Sequence, residues 1–205
     1  MTDQPHSAEY FGAFRDFWWN ADFLKLCAER YRLAEVRNAL DVGCGVGHWG
    51  RLLAPFMPAA RVTGVDREEE WVAEAAKRAA ETGLAGRFAY RRAEAERLPF
   101  PGGAFALVTC QTVLIHVAEA RTVLAEMLRV LQPGGLLLAV EPNPLAGRLA
   151  LDSLSAARSA DDIAVDVWFE LTCLRGKARL GQGDGMVADE LPGLLGELGL
   201  SAIQV

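Results

Sequence analysis

A glycine-rich stretch near residue 40 has the residue types of a loop that binds a nucleoside. It reads Ala39-Leu40-Asp41-Val42-Gly43-Cys44-Gly45-Val46-Gly47-His48-Trp49-Gly50. Glycines at alternate positions permit positive φ and remove the Cβ atoms that would keep a ligand from the backbone. A helical pattern begins at Arg51, and a helix N-terminus offers unpaired N–H groups and a positive dipole end. The stretch therefore predicts a strand, a tight turn and a helix around a nucleoside with a polar or anionic tail.

A second candidate for binding is Asp66, which ends the strand-like run Arg61-Val62-Thr63-Gly64-Val65-Asp66. It lies about 20 residues beyond the glycines, which is the spacing of a strand–helix–strand unit. A carboxylate accepts two hydrogen bonds at once and so suits the two hydroxyls of a ribose. Asp66 could instead cap the helix that begins near Glu68.

Two registers of the glycine stretch lead to different cofactors. Read from Gly45, the pattern Gly45-x-Gly47-x-x-Gly50 matches the dinucleotide fingerprint, which is weak evidence on its own. Read from Asp41, it is Asp-x-Gly-x-Gly-x-Gly, and its first glycine falls directly at the end of the strand. In this second register the stretch resembles the signature of the class I S-adenosylmethionine-dependent methyltransferases, of the small-molecule, ubiquinone-biosynthesis-like type.

The resemblance implies an α/β fold, a Rossmann-like doubly wound sheet with an N-terminal helical lid. It implies S-adenosylmethionine as cofactor and methyl transfer to an O, N or C atom of an acceptor, which leaves S-adenosylhomocysteine. The family sheet has seven strands, so we expect its final antiparallel strand to be missing after Val205. The alternatives are a nicotinamide-dependent oxidoreductase, although no Tyr-x-x-x-Lys pair supports it, and a non-catalytic subunit that binds S-adenosylmethionine.

Two later motifs extend the resemblance. Residues 93–100, Ala-Glu-Ala-Glu-Arg-Leu-Pro-Phe, are similar to the family's Gly-Asp-Ala-Glu-x-Leu-Pro-Phe loop. The likeness implies that the Glu94 side chain accepts from the adenine amino group and that the Ala95 N–H reaches the ring. Leu131-x-Pro-Gly-Gly before an apolar strand is also typical of the family, and independently predicts a helix stop and a turn. The cofactor-binding residues expected are Asp41, Gly43, Cys44, Gly45, Gly47, His48, Asp66, Arg67, Glu94, Ala95 and Gln111.

Two histidines lie near this predicted site. An imidazole titrates near neutral pH, so His116, shortly after a buried strand, could orient or deprotonate an acceptor. Its alternative role is a structural hydrogen bond. His48 could contact the lid or the cofactor's carboxylate, or could simply begin the helix.

The pattern divides the chain into an N-terminal lid, residues 1–36, and a methyltransferase domain, residues 37–205. The segment from residue 10 to 31 is rich in aromatic residues at helical spacing. It predicts amphipathic helices that either pack on the domain or line the pocket. Residues 145–182 sit where the family inserts elements that recognise substrate. The candidate lid and substrate residues are Tyr10, Trp18, Trp19, Asn143, which could instead cap a helix, and Trp168.

The remaining elements follow from periodicity and turn residues. The pattern predicts helices over Glu68–Glu81 and Glu119–Leu131, and a third helix over Val187–Leu200 that Pro192-Gly193 interrupts. It predicts strands over Arg87–Arg91, Ala104–Cys110, Leu136–Glu141 and Ala202–Val205.

Composition narrows the class of protein. The 205 residues suffice for one domain, and 51% hydrophobic with 23% charged residues is typical of a folded soluble protein. The apolar runs are too short for a signal peptide or a membrane span, which predicts a cytoplasmic protein with no membrane partner. A net charge of −6 without a Lys/Arg block argues against nucleic acid as a partner.

Cysteine and histidine spacing predicts no metal site. The four cysteines are far apart and form no C-x-x-C pair, which predicts reduced thiols. The three histidines also lack ligand spacing. No Asn/Asp-Pro-Pro-Tyr motif or Pro-Cys pair follows the fourth strand, so the resemblance implies a small-molecule acceptor. We expect a monomer or a homodimer.

Overall fold

The computed structural model describes residues 19–149 and 158–205. Tyr10 and Trp18, which the aromatic pattern assigns to the lid, lie outside the described residues. The chain divides into two compact units. Among the described residues, the first unit comprises 19–111 and 126–139, and the second comprises 112–125, 140–149 and 158–205.

A five-stranded sheet forms the centre of the first unit. Its strands are β1 (Asn38–Val42), β2 (Arg61–Asp66), β3 (Phe88–Arg92), β4 (Phe105–Gln111) and β5 (Leu131–Val140), in the order β3-β2-β1-β4-β5. β1 pairs in parallel with β2 and β4, and β2 pairs in parallel with β3. Because the strand order reverses between β1 and β4, the carboxyl ends of these two strands border the crevice where such sheets bind ligands.

Helices connect the strands and complete the α/β fold. The helices of the described residues are α1 (Ala21–Arg30), α2 (His48–Leu53), α3 (Glu69–Glu81), α4 (Ala120–Val130), α5 (Pro144–Leu149), α6 (Ala160–Arg179) and α7 (Val187–Glu197). The first three belong to the first unit and the last three to the second, while α4 has residues in both. The predicted doubly wound class is therefore confirmed.

Most residues of the two central strands are apolar and buried. Leu40 and Val42 of β1 are fully buried, as are Leu107 and Val108 of β4. A strand that is buried on both faces reads as a continuous hydrophobic run, which is why these strands were predicted closely. The register places Asp41 opposite Gly64 of β2 and Thr109 of β4. This brings the end of each strand to one edge.

Two predictions near the C-terminus are wrong. Residues 202–205 form no strand, and Ala202 has φ of 56°, outside the extended region. α7 is not interrupted at Pro192-Gly193 but runs through Pro192 to Glu197. A proline in a helix interior removes one backbone donor and usually kinks or breaks the helix, but α7 continues past Pro192.

Two predicted boundaries also shift. β5 begins at Leu131 rather than Leu136, so Gln132-Pro133-Gly134-Gly135 belongs to the strand although Gly134 has φ of 74°. β5 is the last strand in the sheet order, and proline within sheets is found chiefly in such edge strands. α2 begins at His48, directly after Gly47, rather than at Arg51.

Gly64 in β2 is a position where the structure leaves no room for a side chain. A Cβ at Gly64 would lie 2.5 Å from Tyr90 Cδ1 and 3.0 Å from Cys44 Sγ. The Tyr90 ring thus packs directly on the β2 backbone. We expect Gly64→Ala to lower the free energy of unfolding by about 1–3 kcal/mol, the usual effect of overpacking. Urea denaturation followed by circular dichroism measures this loss.

Gly86→Ala is the matched control. A Cβ at Gly86 meets nothing within 4 Å, and its backbone is not in the left-handed region. Its substitution should be neutral or slightly stabilising. Equal losses for the two variants would show that the ring does not close the space above Gly64.

Candidate functional site

The glycine stretch forms an open loop at the end of β1. Gly43, Gly45 and Gly47 have φ of 64°, 50° and 74°, a region that side chains disfavour. The Cys44 N–H donates to the carbonyl of Val65 at 2.9 Å, which ties the loop to β2. A Cβ at Gly45 would meet no atom within 4 Å, so the space over this residue is open. A ligand can therefore touch the backbone here.

Asp66 joins the loop to the end of β2. Its Oδ2 accepts from the Gly45 N–H at 2.8 Å, and its Oδ1 accepts from the Glu68 N–H at 3.1 Å. Burial raises the pKa of this carboxyl, and the two backbone hydrogen bonds oppose that rise. Each carboxylate oxygen retains one further acceptor site. The group is therefore placed beside the open space and can still accept two ribose hydroxyls. The N-cap of α3 is Glu68 rather than Asp66.

Asp41 is a buried carboxyl beneath the same loop, with 1% of its surface exposed. Its Oδ2 accepts from the Gly50 N–H at 3.1 Å, while Oδ1 is buried and finds no hydrogen-bond donor among the described residues. Burial raises the pKa of Asp41 to about 7, and the nearby Asp66 charge adds to the rise. The carboxyl is thus poised between its neutral and ionised forms near neutral pH.

Tyr90 and Arg51 support the loop from below, and the sequence patterns did not single out either. The position of a Cβ on Gly47 lies 2.7 Å from the Tyr90 hydroxyl oxygen and 3.0 Å from Arg51 Nη1. Arg51 also donates to the carbonyl of Val46 at 2.7 Å. Burial raises the pKa of the Tyr90 phenol, so it stays neutral. The sequence signal that could have identified Tyr90 is its spacing from Phe88, because residues two apart on a strand face the same side of the sheet.

Trp19 packs against α2. Its ring centroid lies 4.8 Å from that of Trp49, whose indole N–H donates to the Thr109 hydroxyl at 2.8 Å. The Thr109 hydroxyl in turn donates to the carbonyl of Leu138 at 2.7 Å. The indole N–H of Trp19 is buried without an acceptor in the described part of the chain. Trp19 therefore combines a packed ring with an unused donor.

The loop that follows β3 carries the two predicted adenine contacts. Glu94 is exposed and Ala95 is half-buried. The far end of this loop is held by α4: the Leu98 N–H donates to Glu126 Oε2 at 2.8 Å, and Arg129 donates to the carbonyls of Leu98 and Phe100, both at 2.9 Å. The adjacent Arg129 lowers the pKa of the Glu126 carboxyl. This pair fixes the loop to the helix.

The other predicted cofactor residues of the first unit take different positions. Gln111 is buried at the end of β4, and His48 is buried as the first residue of α2. The Cys44 thiol is also buried, and burial raises its pKa well above the ordinary range. Arg67 is exposed and pairs with Glu68 at 3.2 Å. The structure thus brings the loop, Asp66 and Asp41 together, while Arg67 points to solvent.

The second unit holds the predicted catalytic residue on a short 3₁₀ turn, Leu114–His116. Thr112 precedes it with φ of 57°, an uncommon value for a β-branched residue. Glu141 accepts from the N–H groups of Val113 at 2.9 Å, Leu114 at 3.0 Å and Ile115 at 3.3 Å. The carboxylate of Glu141 therefore holds the start of this turn in place.

The two candidate substrate residues of the second unit differ in role. Asn143 Oδ1 accepts from the Ala146 N–H at 2.8 Å and so caps α5, while its Nδ2 donates to Asp189 at 2.8 Å. Trp168 lies on α6 with 67% of its surface exposed. The capping alternative for Asn143 thus has direct geometric support.

Residues 39–135 match a family model described as a methyltransferase domain. A demethylmenaquinone methyltransferase of Thermus thermophilus is 35% identical over 142 residues, which are 69% of this chain and 61% of that protein. Over this region the chain is similar to methyltransferases. The match begins in β1 and ends in β5, so it covers the glycine loop and Asp66.

Solved structures also resemble this chain. The [4+2]-cyclase SpnF is 35% identical with a TM-score of 0.52, over 58% of this chain and 43% of that one. A protein of Bacillus halodurans shares the fold with a TM-score of 0.64 at 22% identity, over 89% of this chain and 71% of that one. The chain spans less than two thirds of the length of the Thermus protein and of SpnF.

Within the described residues, no group of three His, Cys, Asp or Glu side chains is arranged to bind a metal ion. No helix in this part is long and apolar enough to cross a bilayer. All four cysteines, which lie in the described ranges, are free thiols.

The hydrogen bonds between α4 and the predicted adenine loop give a test. We expect Arg129→Met to weaken the binding of S-adenosylmethionine by about 10-fold, because the loop loses two hydrogen bonds that position it. Isothermal titration calorimetry measures the affinity. Arg121→Met on the same helix is the control, since Arg121 pairs with Glu197 instead. An unchanged affinity in Arg129→Met would mean that the loop does not contact the cofactor.

Proposed function

We propose that this chain binds S-adenosylmethionine and transfers its methyl group to a small-molecule acceptor. The observation that carries the proposal is the open space over Gly45, together with Asp66, whose carboxylate accepts the Gly45 N–H at 2.8 Å. A ligand with a ribose finds a bare backbone and a two-oxygen acceptor in one place. The match to a methyltransferase family model supports the choice of cofactor.

Each part of the cofactor has residues that suit it. Asp66 would accept the ribose hydroxyls, and Glu94 and Ala95 would recognise adenine. The loop Gly43–Gly47 would cover the methionine part, with the orphaned Oδ1 of Asp41 as an acceptor for an ammonium group. S-adenosylmethionine would supply a methyl group on a sulfonium centre. The name of the Thermus relative, a demethylmenaquinone methyltransferase, supports a small organic acceptor.

Catalysis would then depend on positioning. Transfer of a methyl group by displacement needs donor and acceptor in line and water excluded, which can supply most of the acceleration without a general base. His116 is the candidate that would interact with the acceptor.

The experiment is calorimetric titration of the purified chain with S-adenosylmethionine, S-adenosylhomocysteine and NADH in parallel. Binding of the first two and not of NADH is expected. Binding of NADH alone would support the dinucleotide register Gly45-x-Gly47-x-x-Gly50 and overturn the proposal. Binding of none of the three would also overturn it.

A second candidate is a chain that binds S-adenosylmethionine without methylating anything. The likeness to SpnF supports this second candidate. SpnF is named as a [4+2]-cyclase, and it is as similar to this chain, at 35% identity, as the Thermus methyltransferase is. Methyl-labelled S-adenosylmethionine with a panel of phenol, quinone and amine acceptors separates the two candidates. Label in any acceptor supports the transferase, and binding without label in any of them supports the second candidate.

A further inference from the structure

Lys177, near the end of α6, reaches the turn that carries His116. Its Nζ donates to the carbonyl of Ile115 at 2.6 Å and lies 3.1 Å from Nδ1 of His116. These residues all belong to the second unit. Lys177 is partly buried there, whereas His116 is exposed. One amino group thus contacts both the backbone and the ring of the predicted catalytic segment.

The chemistry of the two groups determines which of them donates. A lysine ammonium has three N–H donors and no acceptor. An imidazole nitrogen that faces it at hydrogen-bond distance must therefore offer a lone pair. If Nδ1 is the acceptor, the neutral ring carries its proton on Nε2. A second proton on Nδ1 would place an N–H against the ammonium and add a like charge beside it.

The surrounding charges keep this arrangement in place. Burial lowers the pKa of Lys177, while the nearby carboxylates of Glu141 and Asp184 raise it and favour the ammonium form. Glu141 also binds the N–H groups of residues 113–115, so the turn is held from two sides. On a third side the backbone of Gly183 packs so closely on the Ile115 carbonyl that a side chain there would collide with it.

We propose that Lys177 is a positioning residue that holds His116 as the neutral tautomer protonated on Nε2, so that the ring offers a hydrogen-bond donor rather than a base. The consequence for catalysis rests on the proposed methyl transfer. A donor of this kind suits an acceptor molecule that presents a carbonyl or an ionised oxygen to the ring. It does not suit removal of a proton by Nε2, because that atom has no free lone pair in this tautomer.

The test is a ¹⁵N nuclear magnetic resonance titration of the full chain without cofactor. The chain has three histidines, so the ring signals are few, and their loss in His116→Gln assigns the relevant pair. At pH 7.5 we expect the shift of Nδ1 to be that of an unprotonated nitrogen and that of Nε2 to be that of an N–H. We expect the ring to take up its second proton less readily than in Lys177→Met, because a cation lies beside it.

Lys177→Met should move that midpoint upward by about one pH unit. Arg179→Met removes a cation two residues further along α6 and should leave it unchanged. A proton on Nδ1 in the wild type, or equal midpoints in the wild type and Lys177→Met, would overturn the proposal. If Lys177→Met does not fold, as judged by circular dichroism, the wild-type tautomer alone decides.

The spectra need no cofactor, so they separate this proposal from the proposed function. A chain that binds no S-adenosylmethionine but shows the predicted tautomer refutes the function and supports the role of Lys177. A chain that methylates an acceptor while Nδ1 carries the proton supports the function and refutes that role. In an active chain, Lys177→Met should also shift the pH profile of kcat/KM upward, while the affinity for S-adenosylmethionine stays within about 2-fold.

Discussion

Asp66→Ala is expected to weaken the binding of S-adenosylmethionine by about 100-fold or more. In the proposed complex, the substitution would remove two hydrogen bonds from the ribose hydroxyls to a charged acceptor, each of which contributes about 1.5–3 kcal/mol. It also frees the Gly45 N–H, which Asp66 holds at 2.8 Å, and so loosens the loop. Calorimetric titration of both proteins with S-adenosylmethionine measures the loss.

Two variants separate ligand binding from support of the loop. Glu69→Ala removes an exposed carboxylate at the start of α3 and should bind like the wild type. Asp66→Asn keeps one oxygen acceptor for the backbone, so its thermal stability should stay near that of the wild type while its affinity falls by about 10-fold. If Asp66→Ala bound as well as Glu69→Ala, Asp66 would be a loop residue and not a ligand of the ribose.

Asp41→Asn is expected to raise the free energy of unfolding at pH 8, by about 2–4 kcal/mol. The ordinary pKa of an aspartate is about 3.9, and burial raises that of Asp41 to about 7. The folded state therefore favours the neutral carboxyl. The stability that this form provides is fully present below the unfolded pKa and is lost as the pH rises through 7. Asparagine is neutral at every pH and avoids that loss.

The difference in the free energy of unfolding between Asp41→Asn and the wild type should therefore widen as the pH rises from 5 to 8. Urea denaturation at both values, followed by circular dichroism, measures it. Asp22→Asn, which removes an exposed carboxylate in the first turn of α1, controls for the change of net charge. A gap that does not depend on pH would show that Asp41 is ionised in the folded protein.

The same variant connects stability with function. If the ionised Asp41 receives an ammonium group of the cofactor, Asp41→Asn should bind S-adenosylmethionine less tightly than the wild type although its fold is more stable. Such a trade is common where a functional group is held in an unfavourable environment.

Local sequence was sufficient to predict the structure where one short segment determines both its conformation and its role. The alternate glycines 43, 45 and 47 predicted a loop with positive φ, and the structure has it. The segments that end at Asp41 and Asp66 predicted β1 and β2, and most residues of both strands are buried in the structure. The distance between the two acids along the chain follows from one strand–helix–strand unit.

Local sequence failed where another part of the chain decides. Residues 202–205 have the composition of a strand, yet a strand forms only with a partner to pair with, and Ala202 turns out of the extended region. Proline usually ends a helix, so Pro192 predicted an interruption, yet α7 continues past it. β5 begins at Leu131, before the predicted turn, and lies beside β4 in the sheet.

The sequence by itself determined the α/β class, the glycine loop and the acid that joins it, since these depend on neighbours within about 25 residues. The tertiary structure alone decided three properties: that Asp41 is desolvated, that Tyr90 covers Gly64, and that Lys177 faces His116 from 61 positions away. The physical reason is that burial and hydrogen-bond pairing depend on which groups the fold brings together. No pattern within one segment contains that information.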